Sequence, residues 1–527
     1  MDKRELTLYE AFYHNANINI DRTAMFYHNR RFSYRHILNK VNALAGALTK
    51  MGYLRDDVIT VMCPNVPDAI YLIYAINQIG AIIDLLPIDI PYDTVKNLML
   101  KSKSKALFIT DKRVKEFLDF QSLGIKLFSV SSVNELGIIN RLIYRHKNKN
   151  STKVNDIFDL YYSYSLLKEH DHSYLKDCIY FHSGSVDKEI KTIALSSFAI
   201  NSLAYSGLDI IGKTSGHNTG TLAAIPLCYS SGLVMAVHSP LILGSYITLM
   251  DKIDTNAMVK YIKEDRLHIL IGTPRIYESL MRNPHFKDTN LIHLSQAFVF
   301  GESINATLIP NFIDRVNEGE NKVQLYEGYG INECGSLCSI NTINNHKDGS
   351  VGKHLPFIKV KAFDRTGTPL KEDEVGELYI SGCTLMNGYR NSNLNNNSFF
   401  IDKDRNKWIK TGDLGKVDKD GFVYFISRIN RVIQINGNFV YPNKIENEIK
   451  TLPYIFDCYL KGIEDQKLGN MLKLYVLLDK RYKGTYHNNG INNLIINKFG
   501  ISLLPKEIIY LDKFPKTLAG KIDESKL

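Results

Sequence analysis

The chain has 527 residues, of which 44% are hydrophobic and 23% are charged, a composition typical of a globular protein rather than a disordered or fibrous one. Its length exceeds that of one ordinary domain, so two or more hydrophobic cores are expected. The formal net charge is +10, which a polyanionic partner or a coding bias towards lysine would explain, but no interleaved basic and aromatic pattern points to nucleic-acid binding.

Seven cysteines are scattered without the spacing of metal ligands. This pattern favours a reducing compartment and argues against a disulfide scaffold or a zinc site. No apolar segment of the signal-peptide kind follows Met1, so a cytoplasmic protein is expected. Residues 227–250 carry no charged side chain, but Tyr229, Pro240 and Ser245 interrupt the apolar run. A buried helix and strand are therefore expected there, and no transmembrane segment.

The first two thirds of the chain alternate between helical and strand-like periodicity. A helical region with a short hairpin is predicted over residues 5–50. Buried strands are then predicted at 57–62, 81–86, 105–110, 178–181, 268–274 and 296–300. Helical stretches separate most of these strands, and such alternation indicates a mainly parallel sheet with both faces covered. The predicted fold class is therefore α/β.

The periodicity changes twice after residue 349. Short strands with alternating polarity are predicted at 359–364, 376–381, 408–410 and 421–426, which favours a small β-barrel or sandwich. Mixed helices and strands follow from Arg428 and predict a small α+β domain. The expected organisation is a large N-terminal domain over residues 1–427, with the barrel at about 350–427, and a C-terminal domain over 428–527.

Residues 325–334 form the first candidate site, where a strand-like run reaches a glycine-rich turn that ends in a carboxylate. Gly328 and Gly330 allow positive φ and close backbone approach to a ligand. Tyr329 offers a flat face to a purine, and Glu333 could hold Mg²⁺. A tight turn with a capping glutamate explains the same residues.

The second candidate follows the strand predicted at 178–181. Ser183, Gly184 and Ser185 open a loop of small residues that reaches Lys191. Backbone N–H groups, hydroxyls and a lysine can form a phosphate cradle. Asp187 and Glu189 carry the wrong charge for that role, so an ordinary surface loop is the alternative.

Seven short motifs follow one another in order along nearly the whole chain. They are PLCYSSGL at 226–233, GYGINE at 328–333, SVG at 350–352, GEL at 376–378 with GY at 388–389, KTGDL at 410–414, RINRVI at 428–433 and PKTLAGKI at 515–522. Together they resemble the adenylate-forming (AMP-binding) superfamily, which includes acyl-CoA synthetases, peptide-synthetase adenylation domains and firefly luciferase. The segment EGYGINEC at 327–334 is most similar to fatty acid–CoA ligases.

The resemblance implies a two-step reaction that uses ATP, Mg²⁺ and coenzyme A. A carboxylic acid, with a fatty acid favoured, would attack ATP to give acyl-AMP and pyrophosphate, and a thiol would then take the acyl group. The resemblance also implies that the small C-terminal domain is mobile, with Asn430 in the hinge position. Asn430 replaces an aspartate there and tolerates the same backbone changes.

The resemblance further implies the roles of single residues. Glu333 would hold Mg²⁺, Lys521 would bridge the α-phosphate and the attacking carboxylate, and Asn332 would lie near the α-phosphate. Tyr229 and Gly328 would line the acyl pocket. The nucleotide and its phosphates would contact a further set, which comprises Ser183, Gly184, Ser185, Lys191, Gly301, Glu302, Tyr329, Gly330, Asp413 and Arg428.

The phosphate loop departs most from the family pattern, S-G-T-T-G-x-P-K-G. It is one residue longer before the lysine and carries Asp187 and Glu189, whose charge would weaken ATP binding. Three hypotheses therefore remain open. The protein is a working ligase that transfers to coenzyme A, a stand-alone adenylation enzyme that loads a separate acyl-carrier protein, or a degenerate homologue with a binding or partner role.

Overall fold

A computed structural model of the protein describes most of the chain. The described residues are 2–137, 139, 143–144, 154–162, 173–184, 190–211, 219–301, 304, 307–317, 323–435, 437–465, 469–517 and 521–527.

The strands are numbered in chain order. They are β1 (Thr23–Tyr27), β2 (Arg30–Ser33), β3 (Val58–Met62), β4 (Ile82–Leu85), β5 (Ala106–Thr110), β6 (Lys126–Val130), β7 (Asn155–Asp156), β8 (Asp177–Ser183), β9 (Lys191–Ser196), β10 (Gly220–Ala223), β11 (Tyr246–Leu249), β12 (Ile269–Gly272), β13 (Gln296–Val299), β14 (Leu325–Tyr329), β15 (Ser339–Ile340), β16 (Lys353–His354), β17 (Ile358–Phe363), β18 (Gly376–Gly382), β19 (Gly388–Tyr389), β20 (Phe399–Ile401), β21 (Lys407–Val417), β22 (Val423–Arg428), β23 (Ile433–Ile435), β24 (Asn438–Val440), β25 (Ile455–Asp465), β26 (Gly469–Leu478) and β27 (Glu507–Tyr510).

The helices follow the predicted periodicity, and several begin at side-chain caps. Thr7 and Glu10 form a capping box at the first helix, and Ser33 accepts a bond from His36 N–H at the longest one. The α-helices are Leu8–Ile18, Tyr34–Lys50, Pro67–Gln78, Tyr92–Ser102, Ile157–Leu160, Ser197–Tyr205, Gly207–Ile211, Ser239–Ile242, Thr255–Lys263, Pro274–Met281, Pro284–Lys287, Leu308–Val316, Ser392–Ser398, Pro442–Ile449 and Asn488–Phe499.

Two large sheets form the centre of the molecule. One has the strand order β16-β15-β14-β13-β12-β10-β11-β1-β2, and the other has the order β19-β9-β8-β4-β3-β5-β6-β7. From β1 to β14 and from β8 to β7 the neighbouring strands are parallel, and antiparallel strands continue the sheets beyond β1, β14 and β8. The parallel centres confirm the predicted α/β class. In such sheets ligands bind beyond the carboxyl ends of the strands, where β8, β13 and β14 end here.

The chain after residue 355 forms smaller sheets. Strands β17, β18, β21, β20 and β22 make one antiparallel sheet, and β25, β26 and β27 make another that packs with the helices Pro442–Ile449 and Asn488–Phe499. Strand β21 is much longer than predicted. It continues through Thr411-Gly412-Asp413 because it pairs with β18 and β22 along both sides. The barrel and the domain boundary at 427/428 stay predictions.

The uncharged segment 227–250 contains a π-helix at Ser231–His238, the α-helix Ser239–Ile242 and the strand β11. A single regular helix was expected before the strand. Pro240 has no N–H and cannot donate the bond that a regular helix requires. Within the part of the chain that the structure describes, no helix is both long and apolar enough to cross a membrane.

Candidate active site

Strand β14 carries the first part of the site, and it differs from its prediction. The strand runs through Gly328, and neither Gly328 nor Gly330 uses the positive φ that glycine allows. The glycines are needed for close packing of the chain on itself. A Cβ at Gly330 would lie 1.6 Å from the Ser336 carbonyl oxygen, and one at Gly328 would lie 2.8 Å from Leu337 Cδ1.

Gly330→Ala should therefore destabilise the protein much more than Gly328→Ala. The first substitution pushes against backbone, whereas the second pushes mainly against the end of a leucine side chain, which can move. We expect Gly330→Ala to lower the free energy of unfolding by about 3 kcal/mol or more, and Gly328→Ala by about half of that. Urea denaturation of the two variants checks this, and equal losses would contradict the packing argument.

Asp413 lies at the centre of the site and is 1% exposed. Strand pairing sets it directly opposite Arg428, whose Nε lies 2.8 Å from Asp413 Oδ1. Tyr329 donates its hydroxyl to Asp413 Oδ2 at 2.6 Å. Despite the nearby guanidinium, Oδ1 receives no aligned hydrogen bond from the described residues. This buried acceptor can bind a hydroxyl of a ligand.

The charges around Asp413 oppose the effect of its burial. Burial raises the pKa of Asp413, while Arg428, the Tyr329 hydroxyl and Lys521 act to lower it, and Glu333 acts to raise it. Burial and the Asp413 charge hold the pKa of Tyr329 far above its usual value, so this hydroxyl stays a donor. The site thus combines a buried carboxylate with fixed donors and two cations.

Lys521 comes from the far end of the chain. Its N–H donates to the Thr517 hydroxyl, and its carbonyl oxygen accepts from Thr517 N–H. Its side chain is exposed, yet its charge acts on the pKa of Asp413. Two ion pairs join helix Pro274–Met281 and the residue after it to the C-terminal part of the chain. Arg275 pairs with Asp457, and Arg282 Nη1 lies 2.9 Å from Asp479 Oδ2.

Glu333 follows β14 in a short 3₁₀ turn, and a tyrosine that we had given no role contacts it. Tyr389 donates its hydroxyl to Glu333 Oε1 at 2.8 Å, and Lys191 Nζ lies 5.2 Å from the centre of the Tyr389 ring. Burial and the Glu333 charge raise the pKa of Tyr389. The GY motif at 388–389 was visible in the sequence, but its partner was not.

The PLCYSSGL motif at 226–233 contacts the 3₁₀ turn Asn332–Cys334 through Ser230. Ser230 is 1% exposed and donates to Asn332 Oδ1 at 2.6 Å. Tyr229, beside it, is half-buried and precedes the π-helix, and its carbonyl oxygen accepts from Gly232 N–H and Leu233 N–H. Ser230 thus connects the segment that contains Tyr229 to Asn332. The sequence did not reveal this role, because the order of two motifs along the chain does not show how close they lie in the fold.

The phosphate-loop candidates lie at the ends of two antiparallel strands. Ser183 ends β8 and pairs with Lys191, which begins β9, and Gly184 has a φ of +110°. Gly301 follows β13 with a φ of +99°, and no atom of the described residues lies within 4 Å of the place where a Cβ would be. Ser185 and Glu302 lie outside the described residues.

Asn430 lies in the 3₁₀ turn Ile429–Arg431, directly after β22. The following residue, Arg431, binds Glu446 at 2.6 Å and is tied to the C-terminal part of the chain. Asn430 therefore stands between Arg428, which contacts Asp413, and Arg431, which does not. That position suits a hinge, which stays a prediction.

The residues present fit ATP and Mg²⁺. Asp413 Oδ1, which faces the Arg428 guanidinium, suits a ribose hydroxyl. Glu333 supplies carboxylate oxygen, the ligand type that Mg²⁺ prefers together with substrate phosphates. Among the described residues no group of three or more potential metal ligands occurs, so a metal here would depend on the phosphates for most of its ligands.

The chain is similar to several known proteins. A family model described as AMP-binding enzyme matches residues 12–390. A long-chain-fatty-acid–CoA ligase of Bacillus subtilis is 23% identical over 533 residues, covering 95% of this chain and 90% of that protein. A feruloyl-CoA synthase of Amycolatopsis is 26% identical over 305 residues. That match covers 57% of this chain and 59% of the synthase, so it spans less than two thirds of the relative.

Solved structures share the fold over the whole chain. ATP-bound MatB from Rhodopseudomonas palustris has a TM-score of 0.85 at 18% identity, covering 99% of this chain and 98% of that one. The anthranilate CoA ligase AuaEII, in complex with anthranoyl-AMP, also has a TM-score of 0.85, at 17% identity, covering 99% of this chain and 96% of that one.

Proposed function

The chain belongs to the AMP-binding enzyme family, and from that premise we propose that it is an ATP-dependent acid–thiol ligase that makes acyl-AMP and then an acyl-CoA. The convergence on Asp413 carries this proposal. Tyr329, Arg428 and Lys521 come from three separate motifs and all act on that one buried carboxylate. A structural turn would not require three such groups.

In the proposed first step, Asp413 holds the nucleotide through its ribose. Its two carboxylate oxygens suit a vicinal diol. Tyr329 and Arg428 orient the carboxylate and favour its charged form against the effect of burial on its pKa. The attacking acid and the α-phosphate are both anionic, so the reaction needs positive charge between them and accurate positioning more than covalent help. Lys521 supplies that charge as negative charge builds up on the phosphate.

Glu333 is the residue that would hold Mg²⁺, which when bound neutralises charge on the phosphates. Tyr389 orients Glu333 by donating its hydroxyl to Oε1, and Oε2 would be the oxygen that binds the metal. Ser230 donates its hydroxyl to the side-chain oxygen of Asn332, so the Asn332 amide N–H groups are the donors that would bind a phosphate. Both supports would orient groups that contact the substrate.

The relatives are named for carboxylic acids of different classes. The EGYGINEC segment favours a fatty acid, and one relative is named a long-chain-fatty-acid–CoA ligase. Other relatives are named for ferulate, indoleacetate and coumarate. We propose a fatty acid as the first substrate to test, with aromatic acids as the competing class, and coenzyme A as the acceptor.

The test is pyrophosphate release by the purified protein with ATP and Mg²⁺. Fatty acids of several lengths, ferulate, coumarate and indoleacetate would be supplied one at a time, with and without coenzyme A. Acid-dependent release, with an acyl-CoA in the products, is the expected result. Release without acyl-CoA formation would favour a carrier-protein acceptor. Nucleotide binding without release for any acid would favour a degenerate homologue and overturn the proposal.

A further inference from the structure

A buried histidine and aspartate lie directly behind the phosphate-loop candidates. His182 is the residue before Ser183 on β8, and its Nε2 lies 2.6 Å from Asp84 Oδ1 on β4. The side chains are 1% and 0% exposed. Neither residue belongs to any of the seven motifs.

The pair is part of a network across four neighbouring strands. His182 Nδ1 lies 3.3 Å from Thr192 Oγ1 on β9. Thr60 on β3 donates to Asp84 Oδ2 at 3.1 Å, and Ser102 contacts the same oxygen at 3.3 Å. Asp84 therefore has partners on both oxygens, and His182 has partners on both ring nitrogens. A satisfied buried network of this kind is rigid.

The network is attached to the ends of the loop by strand register. His182 pairs with Thr192, and the next pair, Ser183 with Lys191, is the last before the strands separate. The side-chain bond between His182 and Thr192 thus locks the two strands one residue behind Ser183 and Lys191. Gly184, the next residue after β8, has a positive φ. The pairing of His182 with Thr192 therefore determines where Ser183, Gly184 and Lys191 lie.

The location of the pair argues for a role in the site. A buried carboxylate inside a sheet is costly unless fully bonded, and an apolar pair would fill the same volume without that cost. The polar pair lies at the carboxyl end of β8, where this fold binds ligands. The bonded pair fixes the backbone geometry next to Ser183, Gly184 and Lys191, the three residues that would contact phosphate.

We propose that His182 and Asp84 are positioning residues that hold Ser183, Gly184 and Lys191 in place for the β- and γ-phosphates of ATP. Neither would contact the nucleotide. This inference rests on the proposed function, because it assumes that ATP binds at these residues. It predicts an effect that depends on the terminal phosphates and not on the adenosine part of the ligand.

The test compares ATP with AMP by calorimetric binding to purified, folded protein in the presence of Mg²⁺. His182→Ala should weaken ATP binding by about 10- to 100-fold, as expected when groups that hold a ligand are displaced by a fraction of an ångström to an ångström. AMP binding should stay within about twofold. His182→Gln, which can still donate to Asp84, should recover part of the ATP affinity.

His268→Ala is the matched control. His268 also pairs with an aspartate, with Nε2 2.8 Å from Asp265 Oδ1, but it lies before β12 at the amino end of the other sheet. This variant should bind both nucleotides as the wild type does. If His182→Ala does not fold, Thr192→Val, which removes only the hydroxyl that contacts His182, makes the same comparison.

The outcomes separate this inference from the proposed function. Equal losses for ATP and AMP, or a lower melting temperature with both affinities unchanged, would overturn the positioning role. A wild-type protein that binds neither nucleotide would instead overturn the proposed function. A selective loss of ATP affinity in His182→Ala and Thr192→Val, partly restored in His182→Gln, would establish the role.

Discussion

Lys521→Ala should abolish most acid-dependent pyrophosphate release. We expect kcat to fall by about 100- to 1,000-fold, the loss found when a single charged or hydrogen-bonding group is removed from a developing anion. The KM for ATP should change little, because Lys521 is exposed and acts mainly where charge builds up during the reaction. Steady-state pyrophosphate release with the best acid of the panel measures both constants.

Lys513→Ala is the matched control for this variant. Lys513 is an exposed lysine in the same C-terminal part of the chain, eight positions before Lys521 in the sequence. It should retain wild-type release. A loss in Lys513→Ala comparable to that in Lys521→Ala would attribute the effect to general electrostatics rather than to the position of Lys521.

The second half-reaction makes the prediction sharper. When synthetic acyl-AMP and coenzyme A are supplied together, Lys521→Ala should form acyl-CoA at close to the wild-type rate, because no α-phosphate is attacked in that step. If both half-reactions fell together, Lys521 would support the fold or the arrangement of the domains instead. Undiminished pyrophosphate release would remove Lys521 from the mechanism.

Much of the fold could be predicted from the sequence because its signals are local. Strands such as β3, β4 and β5 were predicted to within a residue or so at each end from buried apolar runs, and their parallel pairing followed from the helices between them. Asp413 and Arg428 were both found through short motifs. Their contact became clear only when β21 was seen to continue past Lys410 and pair with β22.

The parts that could not be predicted depend on contacts between distant residues. Tyr389 and Glu333 are 56 positions apart, and they meet because β19 pairs antiparallel with β9 at the edge of the sheet. His182 and Asp84 are 98 positions apart, and a lone histidine or aspartate in an apolar run predicts no partner. Gly330 was assigned to the ligand, but the Ser336 carbonyl oxygen occupies the space beside it.

Asp413→Asn should weaken ATP binding by about 100-fold. The substitution removes the charge that Arg428 and Lys521 face, and hydrogen bonds from two ribose hydroxyls to an ionised carboxylate contribute about 1.5–3 kcal/mol each. The amide of the new side chain would also place donor hydrogens against the Tyr329 hydroxyl or the guanidinium. Calorimetric titration with ATP measures the loss, and the melting temperature shows whether the variant is folded.

Replacing the ribose hydroxyls tests whether Asp413 binds them. The wild-type protein should prefer ATP over 2′,3′-dideoxy-ATP by at least about tenfold, which corresponds to about 1.4 kcal/mol. Asp413→Asn should lose most of that preference, because the side chain and the hydroxyls stabilise the complex through the same bonds. Asp418→Asn removes another buried carboxylate, one that pairs with Lys347 at 2.6 Å in the turn after β21, and should keep the wild-type preference. A preference for ATP that survives in Asp413→Asn would show that the ribose is bound elsewhere and that Asp413 serves only to order Tyr329 and Arg428.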